Sequence, residues 1–461
     1  MQILFCLILV WGLVMAKYTS LDVKSLANVM RTEAARGRPF AFLTGAGCSI
    51  SAGIPSVPNL LKRINEHEHG EPVRHRLGCA SLEDQDYGEV MGCLTLTERK
   101  DILDPLLKNA KVNWGHIALA ALMKANYVGR VLSFNFDSVL ASAAGANGFY
   151  PATYDFGVSP AESFDHIVTP SVLHLHGQGY GLAMMNSTDE TMAHAAKLEP
   201  LFRDTFQHSN VLIVGYSGKS DKTFEYIEKA YSNQKRIYWC NYEDISPEAH
   251  ISSFLAKGKK TSTFLSGVDF DVFLIELAQE LGCFPPVLFN DPAQHLLDQL
   301  EPIVAPTEEL LGAKSYLADL KSTLQKWQKS EKVTISTRLR EAILKGDWDA
   351  AIVLKNEVAS NDDKEKLALA YRKKASALWD LALARRDKAL HLQSISNAAE
   401  ALKLSPGDYV PLIIWGNALN SIGSIEPKEE TFRGCIDKYE KSLALKPNNS
   451  SALNGWGNGL L

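Results

Sequence analysis

The sequence predicts an α/β fold followed by an all-α region, and three observations lead to this prediction. Short apolar runs of strand length alternate with helical patterns over residues 38–285, polar loops follow these runs, and residues 310–461 carry helical patterns without strand-like alternation. Strands that alternate with helices favour a Rossmann-like parallel sheet covered by helices on both faces. Because ligands bind such sheets beyond the carboxyl ends of the strands, we expect the functional residues in the loops there.

The α/β region begins with a helix, a strand and a glycine turn. Apolar residues at helical spacing predict a helix within residues 17–37, and Gly37 ends it. The run Phe40–Thr44 predicts a buried strand, which is followed by a glycine turn and a helix that starts near Cys48. Residues 56–112 carry many charges and no strong strand pattern, so we expect a mainly helical insertion there.

Alternation of helix and strand continues after the insertion. Trp114–Lys124 predicts a helix, and the next segment, YVGRVLSFNFD, predicts a strand that ends at a polar turn. Further strands are expected at residues 172–175, 210–214 and 236–240. Five polar loops therefore follow five predicted strands.

The C-terminal region contains an internal repeat. A proline-rich, polar stretch predicts a linker over residues 286–312, and residues 313–461 are predicted to form helical repeats. LKLSP at 402–406 is matched by LALKP at 443–447, and WGNAL is matched by WGNGL at the same offset of 41 residues. The pattern resembles a tetratricopeptide array, whose usual period of about 34 residues implies a seven-residue loop at SIEPKEE. Because the chain stops within the first helix of a repeat, we expect the array to be truncated.

Composition and charge exclude several classes of protein. The 461 residues are 46% hydrophobic and 22% charged, which argues against a disordered, collagenous or disulfide-scaffold chain. The net charge of -5 gives no global attraction to nucleic acid or to an anionic membrane. Seven cysteines without a C-x-x-C pair argue against a structural zinc site and suit a reducing compartment.

The apolar N-terminal segment, residues 1–16, has three interpretations. The first is a secretory signal or a membrane anchor, but the segment is shorter than the ~20 residues that span a bilayer, and it lacks the basic residue that usually precedes the apolar core of a signal. A packed helix is the second possibility. We favour the third, an over-extended start with translation beginning at Met15, because the sequence from there reads as an ordinary amphipathic N-terminus.

The loop TGAGCSISAGIP follows the first predicted strand. Gly45 and Gly47 allow a tight turn and the close approach of a phosphate. Ile50 stands where the G-x-G-x-x-G fingerprint requires glycine, so the loop alone does not separate a nucleotide site from a tight turn.

The longer set of motifs resembles the sirtuin family. G-A-G-x-S-x-x-A-G-I-P, SFNFD, LHLHG, VGYS and WCNYE occur in the family's order over about residues 38–285. The resemblance implies a NAD-binding catalytic domain over residues 17–285, with Asn135 and His176 as catalytic residues. It implies that the cofactor-binding residues are Gly45, Ala46, Gly47, Ser49, Gly53, Ile54, Pro55, Asn135, Asp137, Gly215, Tyr216, Ser217 and Asn241.

These residue types suit cleavage of the bond between nicotinamide and ribose. That reaction passes through an oxocarbenium-like centre, so the site must hold the ribose, supply a nucleophile and exclude bulk water. Asn135 can orient a hydroxyl or a water through its amide without adding charge. His176 can accept a proton near neutral pH, and Asp137 can hold the loop of Asn135 or the nicotinamide end.

Each candidate also has a purely structural interpretation. Asn135 and Asp137 could simply end a strand, and His176 could be a buried core histidine. The family resemblance assigns catalysis to His176 and leaves His174 structural, while Asp221 could cap a helix.

Two further groups of residues have structural interpretations as well. For His67 and His69 a solvated helix end is favoured over a metal site, and for Trp114 and His116 packing is expected.

Two departures from the deacylase pattern favour a hydrolase. Residues 178–214 contain no cysteine, although sirtuin deacylases usually carry zinc-binding C-x-x-C pairs there, and Tyr216 is bulky for its motif. Both departures resemble the bacterial sirtuin-like effectors of antiphage defence, which hydrolyse NAD to ADP-ribose and nicotinamide. The resemblance implies NAD as substrate, no zinc, a cytoplasmic location, and a tail that binds a protein trigger or supports a homo-oligomer. The alternatives are a NAD-dependent lysine deacylase and a non-catalytic sensor of NAD or ADP-ribose.

Overall fold

The computed structural model describes residues 18, 20–158, 164, 166–179, 187–219, 222–258, 261–304, 313–330 and 334–460. The apolar segment 1–16, Asp221 and residues 305–312 of the expected linker lie outside the described residues. Within the described ranges, no helix combines the length and the apolar character needed to cross a bilayer.

The chain forms two compact units. Among the described residues, the first consists of Tyr18 with residues 26–289, and the second of residues 20–25 with residues 290–460. Within the part of the chain that the structure describes, the first unit contains a sheet of seven strands, and each neighbouring pair of strands is parallel. Its strands are β1 Phe40–Thr44, β2 Val128–Ser133, β3 Ala152–Asp155, β4 Ser171–His174, β5 Val211–Val214, β6 Ile237–Cys240 and β7 Ser262–Leu265.

Helices connect and cover these strands. They are α1 Ser20–Ala35, α2 Val57–Glu66, α3 Gly70–Leu77, α4 Tyr87–Gly92, α5 Leu96–Lys108, α6 Trp114–Lys124, α7 Val139–Ala146, α8 Thr188–His208, α9 Thr223–Ala230, α10 Ala249–Gly258, α11 Phe270–Glu280 and α12 Val287–Asn290. The α/β fold class with a Rossmann-like parallel sheet is confirmed.

The order of the strands in the sheet is β3-β4-β2-β1-β5-β6-β7. The chain adds strands on one side of β1 first and then crosses to the other side at β5, so the order reverses around β1. Thr44 at the end of β1 is in register with Ser133 and with Val214, and Ser133 is in register with His174. The loops after β1, β2, β4 and β5 therefore start at the same edge, which is where parallel sheets bind ligands.

The five predicted strands correspond to the inner strands β1, β2, β4, β5 and β6, while β3 and β7 were not predicted. Four of the inner strands are buried at every residue, and three of these, β1, β5 and β6, are largely continuous apolar runs. The outer strands, with sequences ATYD and STFL, are mostly half-buried and carry no such run. Their strand conformation comes from pairing with a neighbour rather than from a local apolar pattern.

The prediction of a helix that starts near Cys48 is wrong. The chain instead makes a single 3-10 turn, Ala46–Ser49, and the next helix, α2, begins at Val57. Gly53 adopts a φ of 96°, in the left-handed region that ends a helix, and Pro55 follows it. The loop between β1 and α2 is therefore long and irregular.

The insertion between this loop and α6 is mainly helical, as expected, and consists of α2 to α5. It has a hydrophobic core of its own, which includes Leu60, Leu61, Ile64, Val73, Leu82, Val90, Met91, Leu94, Ile102 and Leu103. Arg99 on α5 donates two hydrogen bonds, of 2.9 and 2.8 Å, to the carboxylate of Glu190 at the start of α8. This ion pair joins the insertion to the helix that follows β4.

Among its described residues, the second unit contains helices and no strand. Its helices are α13 Pro292–Leu300, α14 Ala313–Ser330, α15 Ile335–Leu344, α16 Trp348–Val353, α17 Asn361–Arg385, α18 Lys388–Leu404, α19 Val410–Ile425, α20 Glu429–Leu445 and α21 Ser450–Leu460.

The 41-residue repeat corresponds to helices of equal length. Helices α18 and α20 both have 17 residues and start 41 positions apart. Tyr439 lies where a Cβ at Gly416 or Gly455 would be only 2.8 or 2.4 Å from its side chain, so these glycines let the helices approach closely. The prediction of a seven-residue loop at SIEPKEE is wrong. Helix α19 extends to Ile425 and α20 begins at Glu429, so only residues 426–428 lie between them.

Candidate functional site

A cavity of about 230 Å³ opens at the carboxyl edge of the sheet. The loops after β1, β2, β4 and β5 form one side of it, and the helical insertion forms the other. The sequence-predicted residues that line it are Gly45, Ala46, Ser49, Ile54, Pro55, Asn135, Asp137, His176, Gly215, Tyr216 and Ser217. Motifs that are far apart in the sequence thus meet around one space.

The glycines of two loops make this meeting possible. The N–H of Gly47 donates to the carbonyl oxygen of Gly215 at 2.9 Å. A Cβ at Gly45 would lie 2.5 Å from the same oxygen, and a Cβ at Gly47 would lie 2.8 Å from the Cα of Gly215. The loops after β1 and β5 therefore touch backbone to backbone, and only glycine fits at these positions.

A hydrogen-bonded chain of three polar side chains lies in the cavity wall. The Ser49 hydroxyl donates to Oδ2 of Asp137 at 2.8 Å, and Nδ2 of Asn135 donates to Oγ of Ser49 at 3.0 Å. Oδ1 of Asp137 accepts the N–H of Val139 at 3.0 Å. All three side chains are at least nine-tenths buried.

This chain determines which way the Asn135 amide faces. A carboxylate only accepts hydrogen bonds, so the single proton of Ser49 goes to Asp137 and Ser49 must accept from Asn135. The amide nitrogen of Asn135 therefore faces Ser49, which leaves Oδ1 without a donor among the described residues. The site offers a neutral acceptor of fixed orientation.

His176 lines the same cavity as this chain and is 6% exposed. Its Nε2 is 3.3 Å from Oγ1 of Thr223, at the start of α9. The ring of Phe134 contacts the imidazole edge to face, with centroids 4.9 Å apart. Thr223 was not predicted from the sequence, because a single threonine at the start of a helix carries no signal of a partner 47 residues away.

His174 has a different position. Its Nδ1 lies 3.1 Å from the main-chain oxygen of Asn135, and it does not line the cavity. Burial lowers the pKa of His174, so the neutral ring donates its Nδ1–H to that oxygen. The residue supports the loop that carries Asn135.

Tyr216 fills the space between the loop after β5 and the loop after β2. Its ring stacks on Phe134 with centroids 4.6 Å apart and an interplanar angle of 12°. Phe134 in turn contacts His176, so an aromatic layer covers one side of the imidazole.

The insertion supplies an apolar wall that was not predicted as part of the site. Besides Gly88, the residues of the insertion that line the cavity are Val57, Leu60, Tyr87, Leu103, Leu106 and Leu107. Three of these leucines recur at i, i+3 and i+4 on α5, a spacing that marks one apolar helix face. That signal was present, but sequence alone does not show whether such a face covers a core or a cavity.

Three predicted cofactor-binding residues do not line the cavity: Gly47, Gly53 and Asn241. Gly47 supports the contact between the two loops, and Gly53 supplies the positive φ that turns the chain. Asn241 follows β6, and its Nδ2 donates to the carbonyl oxygen of Glu243 at 2.8 Å. Its side chain shapes the loop at the neighbouring strand end.

The remaining candidates lie away from the cavity lining. His67, Glu68 and His69 bring potential ligand atoms within 4.8 Å of one another at the turn between α2 and α3. Trp114 packs against Phe289 with ring centroids 5.0 Å apart.

Cys48 lies within the glycine loop, and its thiol is fully buried. Burial raises its pKa well above the usual value, so the neutral thiol is no nucleophile.

Comparisons with known proteins give one family match. Residues 129–261 match a family model described as a SIR2-like domain, and no curated protein matches the chain. A solved structure described as "Structural Basis for the Mechanism and Regulation of Sir2 Enzymes" is similar, with 12% sequence identity and a TM-score of 0.32. That similarity covers 56% of this chain and 96% of the other. The family match contains the loops after β2, β4, β5 and β6.

Proposed function

We propose that the cavity binds NAD+ and that the protein hydrolyses the bond between nicotinamide and ribose. The products are ADP-ribose and nicotinamide. The observation that carries the proposal is the orientation of Asn135 by Ser49 and Asp137, next to His176 in one cavity. The SIR2-like match over residues 129–261 supports a NAD-related activity.

Cleavage leaves a positive centre at C1′ of the ribose. The electron pair of the C1′–N bond passes to the nicotinamide ring, which leaves as a neutral molecule, and a water oxygen forms the new bond to C1′. Oδ1 of Asn135 can accept a hydrogen bond from that water or from a ribose hydroxyl, and thereby hold it in place. A neutral amide adds no charge that would trap the oxocarbenium-like centre.

His176 serves as the base in this proposal. It takes a proton from the attacking water or from a ribose hydroxyl and then releases it to solvent, so that NAD+ and water give ADP-ribose, nicotinamide and one proton. Thr223 and Phe134 limit the positions of the imidazole. The aromatic layer of Phe134 and Tyr216 shields one side of the reaction from bulk water.

The size of the cavity limits what it encloses. About 230 Å³ is below the ~300–1,000 Å³ that is typical of ligand pockets. We infer that the cavity holds the nicotinamide end of the dinucleotide, and that the remainder crosses the glycine contact between Gly45 and Gly215.

Regulation is the second part of the proposal. We propose that the protein is a cytoplasmic antiphage effector whose helical unit, residues 313–461, resembles tetratricopeptide repeats and binds a protein trigger or supports a homo-oligomer. An unregulated NAD+ hydrolase would exhaust the cofactor of its host, so activity must be restrained until the trigger is present.

A lysine deacylase is the alternative that one observation favours. The apolar wall of Leu60, Leu103 and Leu106 could accept an acyl chain. Against it, residues 178–214 lack the cysteines that the resemblance would require for a zinc module.

The test measures nicotinamide release from NAD+ with and without an acetyl-lysine peptide. We expect release without the peptide, and loss of release in Asn135→Ala and in His176→Ala. His208→Ala is the control, because His208 is an exposed histidine at the end of α8. Turnover that requires the peptide would establish the deacylase, and tight NAD+ binding without any cleavage would establish the sensor.

A further inference from the structure

The loop that carries Ser49 is held from behind by a residue outside the cavity. Asn113 immediately precedes α6, is 6% exposed, and does not line the cavity. Its side-chain Nδ2 donates to the carbonyl oxygen of Cys48 at 2.9 Å and faces Oγ of Ser51 at 2.7 Å. The two partners flank Ser49 in the sequence, so the side-chain amide of Asn113 contacts the turn on both sides of that serine.

The opposite end of the Asn113 amide is fixed as well. Its Oδ1 accepts the backbone N–H of His116 at 3.1 Å and lies 2.5 Å from Nδ1 of the same residue. Burial lowers the pKa of His116 to about 4, so the imidazole is neutral at pH 7 and donates its Nδ1–H to Oδ1. Both the nitrogen and the oxygen of the Asn113 amide have hydrogen-bond partners, so the side chain cannot rotate without losing hydrogen bonds.

Backbone hydrogen bonds also hold the loop. The N–H of Gly47 donates to the carbonyl oxygen of Gly215 at 2.9 Å, and the N–H of Lys111 donates to the carbonyl oxygen of Ala52 at 2.8 Å. The Asn113 amide acts between these two points, on the segment that contains Ser49. It therefore adds a side-chain restraint next to Ser49 that the backbone contacts at either end do not supply.

We propose that Asn113 is a positioning residue for the hydrolysis of NAD+, acting through Ser49 on the Asn135 amide. The inference rests on the proposed function and deepens it. Asn113 holds the 3-10 turn, the turn presents the Ser49 hydroxyl to Asp137, and Ser49 in turn sets the orientation of Asn135. The catalytic geometry thus extends through the glycine loop to the start of α6.

The test uses Asn113→Asp as its main variant. Aspartate is as good a helix cap as asparagine and keeps an oxygen for His116, so α6 retains its N-terminal cap. It loses the donor to the Cys48 carbonyl and places an oxygen against that carbonyl instead. We expect kcat for nicotinamide release to fall by up to about tenfold, no more than the loss expected for Ser49→Ala, because a small displacement of a catalytic group lowers the rate, while KM changes little.

Two comparisons separate positioning from stability. Asn147→Ala is the matched control, because Asn147 is also buried and its Nδ2 donates to Ile117 on the same helix, α6, without a contact to the glycine loop. It should lower the melting temperature and leave kcat unchanged. In a Ser49→Ala background, Asn113→Asp should cause little further loss, because both residues act through the same hydroxyl.

Hydrogen exchange of the backbone amides of residues 48–54 gives a readout that needs no catalysis. Faster exchange in Asn113→Asp but not in Asn147→Ala is expected. Unchanged exchange, an unchanged kcat, or a loss fully additive with Ser49→Ala would overturn the inference. If the wild-type protein cleaves no NAD+, the proposed function fails, and the exchange measurement still decides whether Asn113 holds the loop.

Discussion

The orientation of the Asn135 amide gives the sharpest prediction, and Asp137→Asn is the perturbation that tests it. The Val139 N–H is a fixed donor, so the substituted amide must turn its oxygen toward Val139 and its nitrogen toward Ser49. The Ser49 hydroxyl then accepts a hydrogen bond from residue 137, to which it had donated one, and it can donate its proton to Asn135 instead. The side-chain amide of Asn135 then flips, so that its N–H group faces the cavity where its oxygen had faced it.

The magnitude follows from the burial of the three side chains, which are 1% to 9% exposed. Water cannot replace the lost acceptor, so the variant loses the hydrogen bond to the attacking water and gains a donor in its place. Losing one preorganised partner of the reacting atoms costs about 2.7–4 kcal/mol, which corresponds to about 10²–10³ in kcat. Ser49→Ala leaves the amide free to choose either orientation, so its loss should be smaller, about tenfold.

The assay is single-turnover release of nicotinamide at saturating NAD+, with thermal denaturation of each variant as the check on folding. We expect Asp137→Asn to be the slower variant, although it is the more conservative change in size. A wild-type rate in Asp137→Asn, or a larger loss in Ser49→Ala than in Asp137→Asn, would refute the argument from hydrogen-bond direction.

Two further predictions concern the contact between loops and the helical unit. Gly45→Ala places a Cβ 2.5 Å from the Gly215 carbonyl oxygen, so it should lower the free energy of unfolding by about 1–3 kcal/mol and abolish cleavage. Gly407→Ala is the control, because its Cβ meets nothing within 4 Å, and it should change neither quantity. Denaturation measures the stability, and nicotinamide release measures the cleavage. Removal of residues 310–461 should change the rate of NAD+ cleavage or the mass measured by light scattering, and an unchanged rate and mass would show that the helical unit regulates neither.

The sequence by itself determined the inner sheet and the loops around the cavity. The inner strands are largely buried on both faces, so most of their residues are apolar and their pattern was visible without any structure. Glycines, Asn135 and His176 stand directly after these strands, and their position at the carboxyl edge follows from the parallel arrangement. Local sequence carries such information because each signal lies within a few residues of the element that it marks.

Tertiary structure decided what depends on partners far away in the chain. Strands β3 and β7 form by pairing, the apolar face of α5 became a cavity wall, and Thr223 reaches His176.

The same limit applies to the orientation of the Asn135 amide, which no local pattern encodes. It depends on the direction of a single Ser49 proton, and that direction depends on Asp137, which lies 88 residues from Ser49 in sequence. A hydrogen bond is specific to atoms that only folding brings within 3 Å, whereas an apolar pattern is specific to the residue types themselves.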